Sequence, residues 1–116
     1  MARWLGLRLE DMVKKSILNK LRRFRRLLEK EGIPVSKLLL YGSYARGAAR
    51  KDSDIDVCVV SPAFGKDYLG ERFYLFHKAP EIDPLIEPVP FSLKDYRKNR
   101  VSPLLHQIRK EAVEIR

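Results

Sequence analysis

Residues 38–60, Leu-Leu-Leu-Tyr-Gly-Ser-Tyr-Ala-Arg-Gly-Ala-Ala-Arg-Lys-Asp-Ser-Asp-Ile-Asp-Val-Cys-Val-Val, decide how this chain is read. An apolar run ends at Gly42-Ser43, ten residues intervene, and Asp54 and Asp56 open a second apolar run. Val35 to Tyr41 is too short and too continuously apolar at its end for a helix, so a largely buried strand is predicted. Ile55 to Val60 is β-branched-rich and closed by Ser61-Pro62, which predicts a second strand. On a strand alternate side chains share a face, so Asp54 and Asp56 converge while Ile55 and Val57 point into the core. Two neighbouring carboxylates repel, and a hard divalent cation such as Mg2+ relieves that repulsion with oxygen ligands. The competing reading of Asp-Ser-Asp-Ile-Asp is a solvated turn entering a strand. Gly42 lets backbone approach a ligand, and Ser43 adds a hydroxyl beside amides at the start of a short helix over Tyr44 to Arg50, a grip suited to phosphate.

Working outward, Leu9, Val13, Ile17, Leu21, Phe24 and Leu28 recur every three or four positions, which predicts an amphipathic helix from about Leu9 to Glu31. Gly32 and Pro34 stop it. Lys14, Lys15, Lys20, Arg22, Arg23, Arg25 and Arg26 give this helix a basic back. Downstream, residues 66–79 read as a helix with Leu69, Phe73 and Phe76 on one side. Ile82 to Phe91 contains Pro84, Pro88 and Pro90, which exclude a central strand and leave an edge strand. Ser92 is placed to cap a helix through Asn99, a last helix starts near Ser102-Pro103 and runs to about Glu111, and Ala112 to Ile115 form a final short strand. The strand-borne acids Asp83 and Glu87, four apart, are both candidates for a third carboxylate facing the aspartate pair.

At 116 residues the chain is read as one domain, 1–116, with a basic amphipathic helix over 1–32 and an α/β core over 33–116. The formal net charge is +9, and residues 1–37 hold eleven Lys/Arg against four Asp/Glu. Such an excess suits nucleic acid, an acidic protein or a polyanionic substrate, or simply a solvated helix face. The single cysteine, Cys58, sits inside an apolar run, so it fits a small buried hydrophobe in a reducing compartment. No run approaches the ~20 apolar residues of a membrane span, and a soluble cytoplasmic protein is expected. His77 and His106 have no partner at metal-ligand spacing and read as surface or helix-end packing. Trp4 and Tyr41 read as packing residues, whereas Tyr44 and Tyr74 are placed either to meet a nucleotide base or to pack.

Gly42-Ser43, ten residues, then Asp54-Ile55-Asp56 resembles the signature of the minimal nucleotidyltransferases of the DNA polymerase β superfamily. Ser-Tyr-Ala-Arg-Gly and Ser-Asp-Ile-Asp-Val carry the likeness, which covers roughly residues 33–91. It implies a small α/β (α+β) fold with a mixed sheet flanked by helices. It also implies ATP or another nucleoside triphosphate, two Mg2+ ions, and transfer of a nucleoside monophosphate to a hydroxyl with release of pyrophosphate. By the resemblance Asp54 and Asp56 hold the metals, Gly42 and Ser43 bind the triphosphate, and Arg46 meets phosphate charge. Glu87 is preferred over Asp83 as the third acid, with Glu standing where the family often has Asp. Minimal nucleotidyltransferases of this kind are often paired with a helical HEPN protein, whose tyrosine they adenylylate as the antitoxin of a toxin–antitoxin system. The alternatives are a weak or inactive binding module that neutralises its partner by contact, and transfer to RNA or a small molecule. No RNA-binding motif is present. A homodimer through the apolar stripe of the first helix is a further expectation.

Overall fold

A computed structural model of the chain describes residues 12–98 and 102–116. Leu9, Trp4 and Asn99 lie outside the described residues. The elements are α1 (Lys15–Lys30), β1 (Lys37–Tyr41), α2 (Ser43–Arg46), β2 (Ile55–Ser61), α3 (Tyr68–Lys78), a 3-10 turn (Ala79–Glu81), β3 (Ile86–Ser92), α4 (Leu93–Arg97), α5 (Pro103–Glu111) and β4 (Val113–Glu114). The strands form one mixed sheet in the order β3-β2-β1-β4, with β1 antiparallel to β2 and β4, and β2 parallel to β3. The parallel pair β2–β3 requires a crossover, which α3 supplies.

Period-two alternation divides the sheet into two buried faces. Leu38, Leu40, Ile55, Val57, Val59 and Ile86 pack against Ile17, Leu21, Phe24 and Leu28 of α1 and Leu75 of α3. Leu39, Tyr41, Cys58 and Val60 pack on the opposite side with Ile108 of α5, joined by partly buried residues of α4 and β3. The single face of α1 anticipated from the heptad-like spacing is therefore the face that covers the sheet, and its basic residues flank it. That use of the stripe leaves it covered within one chain, against the expectation of a homodimer through it.

Several boundaries differ from expectation for local reasons. α3 starts at Tyr68, not 66, because Asp67 caps it by accepting the Gly70 N–H at 3.1 Å. α2 is only four residues long, ended by Gly47 in the left-handed region at φ 73°. β3 starts at Ile86 rather than Ile82, because the Asp83 carboxylate accepts the Leu85 N–H at 2.8 Å and folds the preceding residues into a turn. It does lie at the sheet edge. Pro88 and Pro90, two apart, fall on one side of the ladder, and an edge strand has one side free. Ser92 and Ser102 cap α4 and α5 as anticipated, accepting the N–H groups of Asp95 and Leu105 at 3.0 and 3.3 Å.

Candidate active site

The site forms where three strand ends meet. Across the antiparallel pair Tyr41 lies opposite Asp56, and across the parallel pair Asp56 lies opposite Glu87. Residues directly opposed in a ladder share a face, so Asp56 and Glu87 project together. Asp54 stands just ahead of β2, outside the strand, and its charge is felt at Asp56. Ile55 and Val57 are 1% and 0% exposed, so the intervening side chains are in the core as the alternation required.

Asp83 takes another path. It precedes β3, and its carboxylate bonds the Lys20 ammonium of α1 at 2.6 Å as well as the Leu85 amide. The period-two argument that placed Asp83 and Glu87 on one face fails because the strand begins only at Ile86. The Lys20 ammonium, with the Leu85 amide, holds the Asp83 carboxyl below its ordinary range. Its role in the structure is to tie α1 to the entrance of β3.

Gly42 closes the site from above. It adopts φ 76°, a region open to glycine, and a Cβ there would overlap the Asp56 carboxylate. Two independent constraints, handedness and contact, thus require glycine at this one position. Burial, then the negative charges of Asp54 and Glu87, raise the Asp56 carboxyl above its ordinary value, and Arg46 partly offsets this. Burial and the neighbouring Asp56 also push the Tyr41 phenol up, so it stays neutral.

Among the described residues, no three carboxylate, imidazole or thiol groups converge tightly enough to enclose an ion as they stand. The donor set nevertheless fits a hard divalent cation: it is all carboxylate oxygen, and Asp56 carries the raised proton affinity of an acid beside uncompensated acids.

One residue beside the site carries only a weak signal in the sequence. The Glu111 carboxylate, at the last residue of α5, accepts the Gly42 N–H through Oε2, and the same oxygen receives Arg46 Nη1 at 3.0 Å. Sixty-nine residues separate Gly42 from Glu111, and the contact depends on β4 pairing beside β1. The available hint was an acid at a helix C-terminus, where the helix dipole disfavours it. Arg46, expected to face phosphate, is thus paired. Tyr44 lies near the loop, its hydroxyl donating to the Arg50 carbonyl at 3.5 Å. Tyr74 is turned toward Lys78 and Glu31 instead. His77 stacks edge-on to Phe73 with centroids 4.1 Å apart, in keeping with a packing role.

Beside Glu87, α3 presents Leu69, Phe73 and Phe76 to solvent, 78%, 66% and 61% exposed. Their side of the helix was visible in the sequence, but the packed side is the one carrying Leu75. These residues border a cleft of about 680 Å3 that Glu87, Pro84 and Pro88 also line.

No curated protein matches the chain at the level of sequence. Solved structures resemble it, among them these three. A toxin–antitoxin crystal structure with AMP-PNP has 26% identity and a TM-score of 0.59, covering 85% of this chain and 72% of that one. A mutant toxin–antitoxin MntA-HpeT structure has 22% identity and a TM-score of 0.58, over 82% and 71% of the two chains. A Sulfolobus solfataricus protein described as a candidate nucleotidyltransferase has 21% identity and a TM-score of 0.50, over 87% and 86%. The mixed four-stranded sheet with helices on both faces is the α+β fold of polymerase β-like nucleotidyltransferases. The sequence profile of the nucleotidyltransferase domain matches residues 11–114, nearly the whole chain, and the chain belongs to that family.

Proposed function

We propose that this nucleotidyltransferase moves AMP from ATP onto a hydroxyl of a partner protein, releasing pyrophosphate, and serves as the antitoxin of a HEPN/MNT pair. The observation that carries the transfer reading is the register: Asp56 stands opposite Glu87 across β2–β3, with Asp54 beside them and Gly42 closing on Asp56. The likeness to a toxin–antitoxin structure holding an ATP analogue supports adenosine as the nucleoside and a protein as the partner.

Asp54, Asp56 and Glu87 would hold two Mg2+ ions, whose chemistry there is to acidify the acceptor hydroxyl and neutralise the leaving pyrophosphate. The chain's own residues do the rest. The Gly42-Ser43 turn and the Arg46 guanidinium grip the triphosphate and fix it for in-line attack. The acceptor oxygen forms a bond to the α-phosphorus as the bond from that phosphorus to the bridging oxygen breaks. The acceptor proton passes to the Glu87 carboxylate. The apolar row of α3 borders the cleft that Glu87 lines, so the surface beside the acceptor-side acid is suited to a protein segment more than to RNA phosphates or a polycationic small molecule.

The test is transfer from α-labelled ATP to a co-purified partner with Mg2+, alongside Asp54→Asn and Asp56→Asn. Each substitution is expected to cut transfer by about 100-fold or more. Transfer surviving both would refute the metal-site assignment. Tight partner binding with no transfer from any nucleotide would favour neutralisation by contact alone, a reading that the exposed α3 row also serves.

A further inference from the structure

We propose that Glu111 is a built-in competitor of the substrate: its carboxylate occupies a phosphate-oxygen position of the Gly42-Ser43 turn and must leave before a triphosphate can bind. The inference rests on the nucleotidyl-transfer reading above.

Two donors, the Gly42 N–H and Arg46 Nη1, meet on the single oxygen Oε2 of Glu111. Convergence of a backbone amide and a guanidinium on one anionic oxygen is the arrangement a phosphate oxygen would demand of these same groups. The two partners are not equally placed. The Glu111 side chain is 16% exposed and Arg46 is 51% exposed, so the carboxylate reaches inward and the guanidinium closes over it. Glu111 also ends α5, where a carboxylate opposes the helix dipole. Local rules broken without a local gain point to a demand made elsewhere in the molecule. The electrostatics agree, since Glu111 adds to the negative charges of Asp54 and Glu87 felt at Asp56, while Arg46 opposes them.

Two consequences follow. The free chain keeps its grip in shape, because the carboxylate holds Gly42 and Arg46 where a phosphate would. It also weakens binding of any anion not rich enough in charge, or in bound metal, to displace Glu111. Affinity for triphosphate should then rise when the charge of Glu111 is removed and its shape is kept.

The experiment titrates the full chain with inorganic tripolyphosphate, with ATP and with adenosine, comparing wild type and Glu111→Gln. The expected result is tighter binding of tripolyphosphate and ATP by about threefold to tenfold in the variant, with adenosine unchanged. Equal or weaker polyphosphate binding in a variant with an unchanged Tm overturns the proposal and assigns Glu111 to holding the turn alone. Should the variant fold poorly, the wild type decides: on adding tripolyphosphate the side-chain carboxyl 13C resonance of Glu111 is expected to move to its solvent-exposed position together with the Gly42 amide. A Gly42 shift with an unmoved Glu111 signal overturns it. Wild type that binds neither ATP nor tripolyphosphate refutes the transfer reading along with this one, whereas failure of the Glu111 effect alone leaves that reading standing.

Discussion

Asp56 joins three pressures in one side chain: it is partly buried opposite Tyr41, it feels the charges of two other acids, and the Gly42 backbone stands so close that a Cβ there would overlap its carboxylate. Its raised proton affinity has a definite sign. The folded chain binds this proton more tightly than the unfolded chain, so the stabilising contribution is complete below about pH 4 and is lost as pH rises through the folded value. Asp56→Asn is therefore expected to have a higher Tm than wild type near neutral pH without added metal, with the gap closing toward about pH 3, while transfer is abolished. Thermal melts across that range check it, and a variant less stable at neutral pH would show that the carboxylate is satisfied in the free chain. Gly42→Ala should lose both stability, by roughly 1–3 kcal/mol from the left-handed backbone alone, and triphosphate binding. Cys58 is a neighbour of the site in the ladder but not a participant: burial pushes its thiol up to about 12. A thiol reagent is expected to modify it only after denaturant is added.

The elements were legible in proportion to how local their causes are. Strand β2 and the Ser92 and Ser102 caps follow from patterns within a few residues and stand where those patterns put them. β1 and the α-helix of α1 form on the expected stretches but start later, at Lys37 rather than Val35 and at Lys15, beyond Val13 of the expected stripe. The start of α3 and the short α2 have causes only a few residues away, in Asp67 and Gly47, whereas the larger misses depend on distant partners as well. Asp83 is no strand residue, because its carboxylate accepts the Leu85 N–H two residues on and also meets Lys20 of α1, sixty-three positions away. Glu111 is barely legible in the sequence for the same kind of distant cause, since nothing near it in the chain reports that β4 will lie beside β1. The aspartate pair was legible because the two acids are two residues apart, although β2 itself carries only Asp56 and begins one residue after Asp54. The Asp83 contact yields its own prediction. Its lowered proton affinity gives stability that is present above about pH 4 and lost as pH falls through the folded value, opposite in sign to Asp56. Asp83→Ala, which also frees the Leu85 amide, should cost about 1–3 kcal/mol by denaturant titration near neutral pH, with the cost shrinking in acid. Transfer activity per folded molecule should fall far less than in Asp56→Asn.

Seen whole, the molecule is a sheet covered on both faces, α1 and α3 on one and α4 and α5 on the other, with its acids at the end where β1 finishes and β2 and β3 begin. Burial on both faces leaves one large apolar feature without cover among the described residues, the Leu69, Phe73 and Phe76 row of α3. It is costly to expose such a row, and contiguous apolar surface on a folded protein is a common mark of an interaction site. Its location adds direction, because the same cleft reaches Glu87. On the proposed mechanism, a partner seated on α3 would therefore bring its hydroxyl to Glu87, and binding and chemistry would share one surface. Phe73→Ser with Phe76→Ser tests that coupling. Exposed side chains contribute little to the core, so Tm should change by no more than about 0.5 kcal/mol of stability allows. ATP binding, assigned by the proposed mechanism to the Gly42-Ser43 turn, should hold its wild-type affinity. Transfer to the partner protein should drop by at least about tenfold, through a weaker complex. Unaltered transfer with an intact fold would place the partner elsewhere on the molecule, and the basic flanks of α1 would then be the next surface to change.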